Sequence, residues 1–182
     1  MTCIVLVVSD SGTVVMGSDS GGFDENSKEV RNEPKIFCCG NVMIGFSGNF
    51  RIGQILQFCL KDLFQQLHSN NLETIVTQIV PVLQKKLKKC GCICLENGQK
   101  TMNAELFIAL YGKAYKIESN FQVSEIMHFS SIGSGNMCAL GALDALNETN
   151  TDLTAHDAAL IALEAAQNFT PFVVKPFTIL EI

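Results

Sequence analysis

Short apolar runs rich in Val, Ile and Met, each closed by Gly, Asn, Asp or Ser, occupy the first fifty residues: Thr2 to Val8, Thr13 to Gly17, Lys35 to Cys39 and Val42 to Phe46. Runs of this length and composition predict strands, and the short connections predict antiparallel hairpins. The period then changes. Between Phe50 and His68, Ile52, Ile55, Leu56, Leu60, Leu63, Phe64 and Leu67 recur at helical spacing, and Leu72 to Leu87 repeats the pattern despite Pro81. After Gly98 strand-like runs return at Ala104 to Leu110, Ala114 to Ile117 and Ile126 to Ile132. Met137 to Leu146 is again helical in period. A further helix is announced by Thr154 as N-cap with Asp157 three residues on, and it ends near Asn168. Val173 to Ile182 reads as a closing strand.

The order is therefore strands, two helices, strands, two helices, strand. Antiparallel sheets with segregated helices imply layers, and two stacked sheets between helical layers satisfy every apolar face. The expectation is an α+β fold, a four-layer αββα sandwich of two antiparallel sheets. No long linker, internal repeat or low-complexity tract interrupts it, so residues 1–182 are read as one domain.

Composition narrows the functional classes. Apolar residues make up 47% and charged residues 17% of the chain, which predicts a compact core rather than disorder. A formal charge of −5 argues against a nucleic acid partner, because that affinity comes from Lys and Arg neutralising phosphates. Lys85, Lys86, Lys88 and Lys89 read as the solvated C-terminal end of a helix. The apolar start, Ile4 to Val8, is too short for a signal peptide or a membrane span, so a cytoplasmic protein is expected. Eight cysteines scattered through a hydrophobic chain fit reduced thiols in that compartment. Cys90, Cys92 and Cys94 alternate, yet with His68 as the only nearby candidate they read as a turn lined with free thiols rather than a zinc site.

The opening Met1-Thr2-Cys3 puts a small residue directly after the initiator methionine, so removing Met1 would expose Thr2 with a free α-amine. Alone this says little. It is followed in order by Val14-Val15-Met16-Gly17-Ser18-Asp19-Ser20, Pro34-Lys35-Ile36, Gly45-Phe46-Ser47-Gly48 and Ser131-Ile132-Gly133-Ser134-Gly135. In these motifs the chain resembles the HslV peptidases and proteasome β subunits. Ala139-Leu140-Gly141-Ala142-Leu143, the segment Thr151 to Ala166 and the closing Phe177-Thr178-Ile179 extend the resemblance over nearly the whole chain.

The resemblance implies an N-terminal-nucleophile hydrolase fold, in agreement with the layers read from periodicity. It also implies that Thr2 is the nucleophile, Asp19 and Lys35 its electrostatic support, Gly48 an oxyanion-hole amide and Ser134 the residue organising the amine end. The chemistry is coherent: a threonine hydroxyl needs a base, and an α-amine with a pKa of about 7.7–8.0 can take and return its proton. Read without the resemblance, Asp19 and Lys35 are surface charges, Ser134 an N-cap and Phe46 a core residue. With it, Phe46 lines the pocket for the side chain preceding the cut.

At two places the pattern departs from the family. The aspartate that the family places at the end of the last helix aligns with Asn168, an amide that can hydrogen-bond without charge. A serine three residues beyond aligns with Pro171. In HslV the same turn binds a structural monovalent cation, Na+ in type, through backbone carbonyls, here those of Gln167, Thr170 and Val173; no cofactor is required for the chemistry. The segment Gly21-Gly22-Phe23-Asp24-Glu25 also differs.

The function implied is a threonine endopeptidase of homo-oligomeric stacked rings, degrading unfolded polypeptides fed by an HslU-like AAA+ unfoldase. A catalytically silent ring subunit, motivated by Asn168 and Pro171, and an N-terminal-nucleophile hydrolase of small amides are the alternatives.

Overall fold

The computed structural model describes residues 1–24, 27–65, 67, 69–149 and 153–182, so His68, Glu25 and Thr151, named above, lie outside the described residues. The chain begins with five strands that alternate tightly with turns: β1 (Ile4–Val8), β2 (Val14–Ser18), β3 (Gly21–Phe23), β4 (Lys28–Val30) and β5 (Ile36–Cys39). After β6 (Val42–Gly48) come α1 (Phe50–Gln54), a π-helical segment (Ile55–Cys59), α2 (Lys61–Gln65), α3 (Leu72–Thr74), a second π-helical segment (Ile75–Ile79) and α4 (Val80–Lys89). The second half holds β7 (Cys94–Glu96), β8 (Gln99–Thr101), β9 (Ala104–Leu110), β10 (Lys113–Ile117), β11 (Val123–Ile126), β12 (Phe129–Ile132), α5 (Asn136–Glu148), α6 (Ala155–Phe169) and β13 (Thr178–Glu181).

Two antiparallel sheets stack, one ordered β12-β1-β2-β13 and the other β11-β10-β9-β6-β5. Period-two alternation distributes the side chains. Ile4, Leu6, Val14 and Met16 meet Ile36, Met43, Phe107 and Ala109 between the sheets. Cys3, Val5 and Val15 face outward under Ala139 and Leu143 of α5 and Ala159, Ala162 and Leu163 of α6. On the far side Ile44, Phe46, Leu106 and Ile108 pack beneath Ile52, Ile55, Leu56, Leu83 and Leu87 of the first helices. This is the expected αββα sandwich.

Local departures have physical causes. The apolar stretch Ile126 to Ile132 is not one strand: β11 ends the five-stranded sheet and β12 edges the other. Both Ile126 and Ile132 still reach the core between the sheets, so the apolar pattern is continuous although the pairing is not. The first helical stretch breaks at Leu60, whose φ of −118° and ψ of 7° leave the helical region. Pro81 is accommodated where the π-helical segment passes into α4: the Val80 amide bonds back to the Ile75 carbonyl, and the widened turn lies just before the proline. Thr154 caps α6 by accepting from the Asp157 amide at 3.1 Å, as read from sequence. The closing strand is shorter than expected, since Val173 to Phe177 runs irregularly past the end of β2 before β13 pairs with it. The β3–β4 and β7–β8 hairpins are additional to the expected elements.

Phe46 packs across Gly53 of α1, where a Cβ would fall 2.1 Å from its ring. Gly53→Ala should therefore destabilise the fold by about 1–3 kcal/mol, the usual cost of overpacking, read as a lower urea midpoint with an unchanged slope. An unchanged midpoint would show that α1 slides without cost.

Candidate active site

Thr2 lies just before β1 and is only 2% exposed. The turn joining β12 to α5 clasps its peptide from both sides. Ser134 Oγ accepts from the Thr2 amide at 3.0 Å, and the Thr2 carbonyl accepts from Ser134 Oγ at 3.2 Å and from the Gly135 amide at 3.2 Å. Gly133 permits this approach: its φ is +94°, and a Cβ there would fall 2.3 Å from the Thr2 carbonyl oxygen. Ser134 does not cap the helix, because the N-cap position of α5 is Gly135, which makes no side-chain cap bond.

Lys35 and Asp19 are not surface charges. Lys35 is 1% exposed, and its Nζ donates to Asp19 Oδ1 at 2.7 Å. Asp19 also accepts from the amides of Cys3 at 2.9 Å, Gly21 at 2.8 Å and Val174 at 3.3 Å. The pair is thus fixed one residue from Thr2. Burial holds the Lys35 ammonium below the ordinary lysine range, with Asp19 working against the shift. The amine of Met1 is likewise lowered, first by burial and then by the charge of Lys35, with Asp19 opposing. Burial pushes the Cys3 thiol up to about 12, which keeps it neutral beside the nucleophile candidate.

Met1 itself occupies the site's mouth: the Thr2 hydroxyl donates to the Met1 carbonyl at 2.6 Å. Thr2, Gly48 and Ser134 line one cleft of about 510 Å³. Gly48 ends β6 with φ +99°, where a Cβ would fall 2.4 Å from the Asn103 carbonyl oxygen, so only glycine fits.

Other expected residues lie elsewhere. Phe46 is buried and lines a separate cavity of about 280 Å³ with Phe50, Phe58 and Arg31, whose guanidinium sits 4.3 Å from the Phe50 ring centroid. Asn168 is exposed near the end of α6 and is not among the residues lining the Thr2 cleft. At the turn beyond it, Gln167 Oε1 and Thr170 Oγ1 are buried without a partner. The Gln167 carbonyl also lacks its helical donor, since the residue four further on is Pro171. Unpartnered oxygens of this kind are the donor type that a small cation of the sodium kind takes. Cys90, Cys92 and Cys94 are free thiols, and no metal-holding group of three His, Cys, Asp or Glu exists among the described residues.

Sequence reasoning missed the cleft wall formed by Cys94, Glu96, Thr101, Asn103, Glu105 and Ser119. A signal was present. Asn97-Gly98 is the dipeptide favoured in two-residue hairpins, and both residues have positive φ, 51° and 78°.

The geometry separates the two partners of the ion pair. Asp19→Ala should cost about 3–5 kcal/mol, since it strands a buried ammonium and three amides. Lys35→Met should cost clearly less, because the carboxylate keeps its three N–H donors. Equal losses in denaturant unfolding would contradict this reading.

No family model matches the chain, and no curated protein does. Solved structures do. The BPH protein of Thiobacillus denitrificans, in complex with epoxomicin, matches with a TM-score of 0.79 and 23% identity over 100% of this chain and 98% of its own. A second structure of that protein matches with a TM-score of 0.80 at 23% identity, over 100% and 97%. Eukaryotic HslV from Trypanosoma brucei matches with a TM-score of 0.69 and 18% identity, over 98% of each chain. Over nearly its whole length, then, this chain shares the αββα sandwich fold of the BPH protein and of HslV.

Proposed function

We propose that the chain is a threonine peptidase whose nucleophile is Thr2 once Met1 has been removed. The observation that carries this reading is the wholly buried Lys35–Asp19 pair fastened to Cys3, next to Thr2, while Thr2 itself lines a cleft with Gly48 and Ser134. A buried ion pair is costly, and a lysine in that position does electrostatic work on its neighbours. The complex of a like-folded protein with epoxomicin supports a ligandable site in this fold.

In the proposed reaction, removal of Met1 turns the Thr2 amide into an amine and frees its hydroxyl from the Met1 carbonyl. The hydroxyl oxygen bonds to the peptide carbonyl carbon while the amine takes its proton, directly or through one water. Negative charge gathers on the former carbonyl oxygen, within reach of the Gly48 amide, where one donor is worth about 3 kcal/mol. The carbon–nitrogen bond then breaks, the leaving amine receives the proton, and the ester left on Thr2 is hydrolysed by water. Lys35 keeps the amine unprotonated and stabilises the developing charge; Ser134 holds the amine in place. Gln167, Thr170 and Val173 would hold the monovalent cation, whose contribution is a fixed charge that ties down the turn beside Val174.

Assembly into stacked homo-oligomeric rings, acting on unfolded polypeptides from an HslU-like unfoldase, belongs to the same proposal. Exposed Phe58, Met137 and Phe169, the last 80% exposed, supply apolar surface that packing between subunits would cover. Light scattering should give a mass several times the 19.8 kDa of one chain, and a monomer would remove the ring.

Thr2→Ala should abolish peptide hydrolysis and Thr2→Ser retain part of it, with orders of magnitude between them. A form with an uncleavable pair before Thr2 should be as inactive as Thr2→Ala. Either inactive form hydrolysing at the mature rate would sink the mechanism.

The pH profile follows from the shifts. The amine must be neutral and Lys35 charged, so kcat/KM should be bell-shaped. Burial and Lys35 hold the Met1 amine down, and the Thr2 amine that replaces it would lie deeper in the same surroundings, so the acid limb should fall below about 7.7–8.0, the ordinary amine range. The alkaline limb should fall below about 10.4, the ordinary lysine value, because Lys35 gives up its proton early. An alkaline limb at or above that value would exclude Lys35 as the group titrating.

A further inference from the structure

Five residues with hydroxyl side chains stand among the described residues lining the Thr2 cleft, and four of the hydroxyls are accounted for. The Thr2 hydroxyl donates to the Met1 carbonyl, Ser134 is engaged with the Thr2 backbone in both directions, the Thr101 hydroxyl is sealed from solvent, and Ser119 is exposed to bulk water. Ser47 remains. It is only 4% exposed, and its hydroxyl makes no hydrogen bond among the described residues yet stays open to the cleft. A hydroxyl withdrawn from bulk water costs free energy unless it is bonded, so this one bonds to whatever the cleft contains.

Strand alternation says which part of the reaction it meets. Gly45 of β6 faces the inter-sheet core, where a Cβ would fall 3.3 Å from Ile4 Cγ2. Two residues nearer the cleft on each chain, Ser47 keeps the face of Gly45 and Thr2 that of Ile4, so both border the same space. Phe46, between Gly45 and Ser47, points the other way, into the separate cavity beside Phe50. If that cavity takes the side chain preceding the cut, the Ser47 face is the side from which the amine departs. Water that hydrolyses the ester enters where the amine left, by the reverse path. There the Thr2 amine, held by Ser134, and the Ser47 hydroxyl border one cleft. Glu105, opposite Ser47 in the strand register, is already bound to Lys116 at 2.9 Å and does not displace the amine as base.

We propose that Ser47 positions the water that hydrolyses the ester on Thr2, a role that rests on the peptidase reading. The hydroxyl accepts from one O–H of the water and turns its lone pair toward the ester carbonyl carbon. The water oxygen bonds to that carbon and its other proton passes to the Thr2 amine. The bond from carbon to Thr2 Oγ breaks, and the amine returns the proton to that oxygen, leaving a free acid and the original hydroxyl. The test mixes the protein lacking Met1 with a peptide p-nitrophenyl ester, whose leaving group departs so readily that hydrolysis of the acyl-enzyme limits turnover. Ser47→Ala gives up no hydrogen bond within the protein, and the amplitude of the nitrophenolate burst counts its working sites. The burst rate should match that of the wild type, while the steady rate per site falls about tenfold, the cost of one hydrogen bond in the transition state. The acyl group should persist on Thr2 in the intact mass. For a peptide amide, kcat/KM, which reports the steps up to acylation, should be unchanged. Hydroxylamine, a stronger nucleophile that needs no positioning, should speed the variant more than the wild type. A steady rate per site equal to the wild type, a slower burst, or no greater gain with hydroxylamine overturns the role of Ser47 and leaves the peptidase standing. A wild type with neither burst nor peptide hydrolysis sinks the peptidase reading and this role with it.

Discussion

A carboxylate with no access to water organises this molecule. Asp19 accepts from the Lys35 ammonium and from the amides of Cys3, Gly21 and Val174. Four stretches far apart in sequence converge on it: the chain start, the exit of β2, the approach to β5 and the segment leading into β13. Burying a lysine is expensive, and the cost is tolerable only with charge and hydrogen bonds both met. Cys3 is held by its amide while its carbonyl receives the Asp19 amide at 3.2 Å, so the backbone beside Thr2 has little freedom. The electrostatics of the site and the anchoring of its nucleophile candidate are therefore the same set of bonds.

The layers determine where that anchor falls. Residues of β1 alternate between the inter-sheet core and the helix-facing core, Ile4 and Leu6 against Cys3 and Val5. Thr2 continues the strand past the point where β12 still pairs with it, and the loop from β12 to α5 closes over it. Backbones approach within bonding distance there, which explains glycine at 133. Gly48 meets the same demand from Asn103 at the end of β6. Open cleft exists at this end because the strands stop.

Much of this was legible beforehand. Val- and Ile-rich runs gave strands, helical spacing gave the outer layers, and the order of motifs around Thr2, Asp19, Lys35, Gly48 and Ser134 gathered residues that do meet in space. Failures came where information is not local. The stretch from Ile126 to Ile132 satisfies one apolar pattern while serving two sheets, and nothing in side-chain period reports which neighbour a strand pairs with. Leu60 carries no breaker, so the helix was read through it. Asn97-Gly98 did carry a turn signal, but the flanking runs, Cys94-Leu95-Glu96 and Gln99-Lys100-Thr101, are too short and polar to read as strands. Whether Thr101 has a partner is a tertiary fact that no sequence states.

Charges of opposite sign act on the chain start from the same buried pair. The amine there is held down first by its burial and then by Lys35, and is pushed back by Asp19. A carboxylate favours the protonated amine and an ammonium disfavours it, so the two members of one ion pair oppose each other at this position. Lys35 outweighs Asp19 there, so the pair as a whole favours a neutral amine, the form that a general base needs. The β7–β8 hairpin pairs with neither of the stacked sheets, so its residues along the cleft are not tied by strand pairing to the elements that carry Asp19 and Lys35.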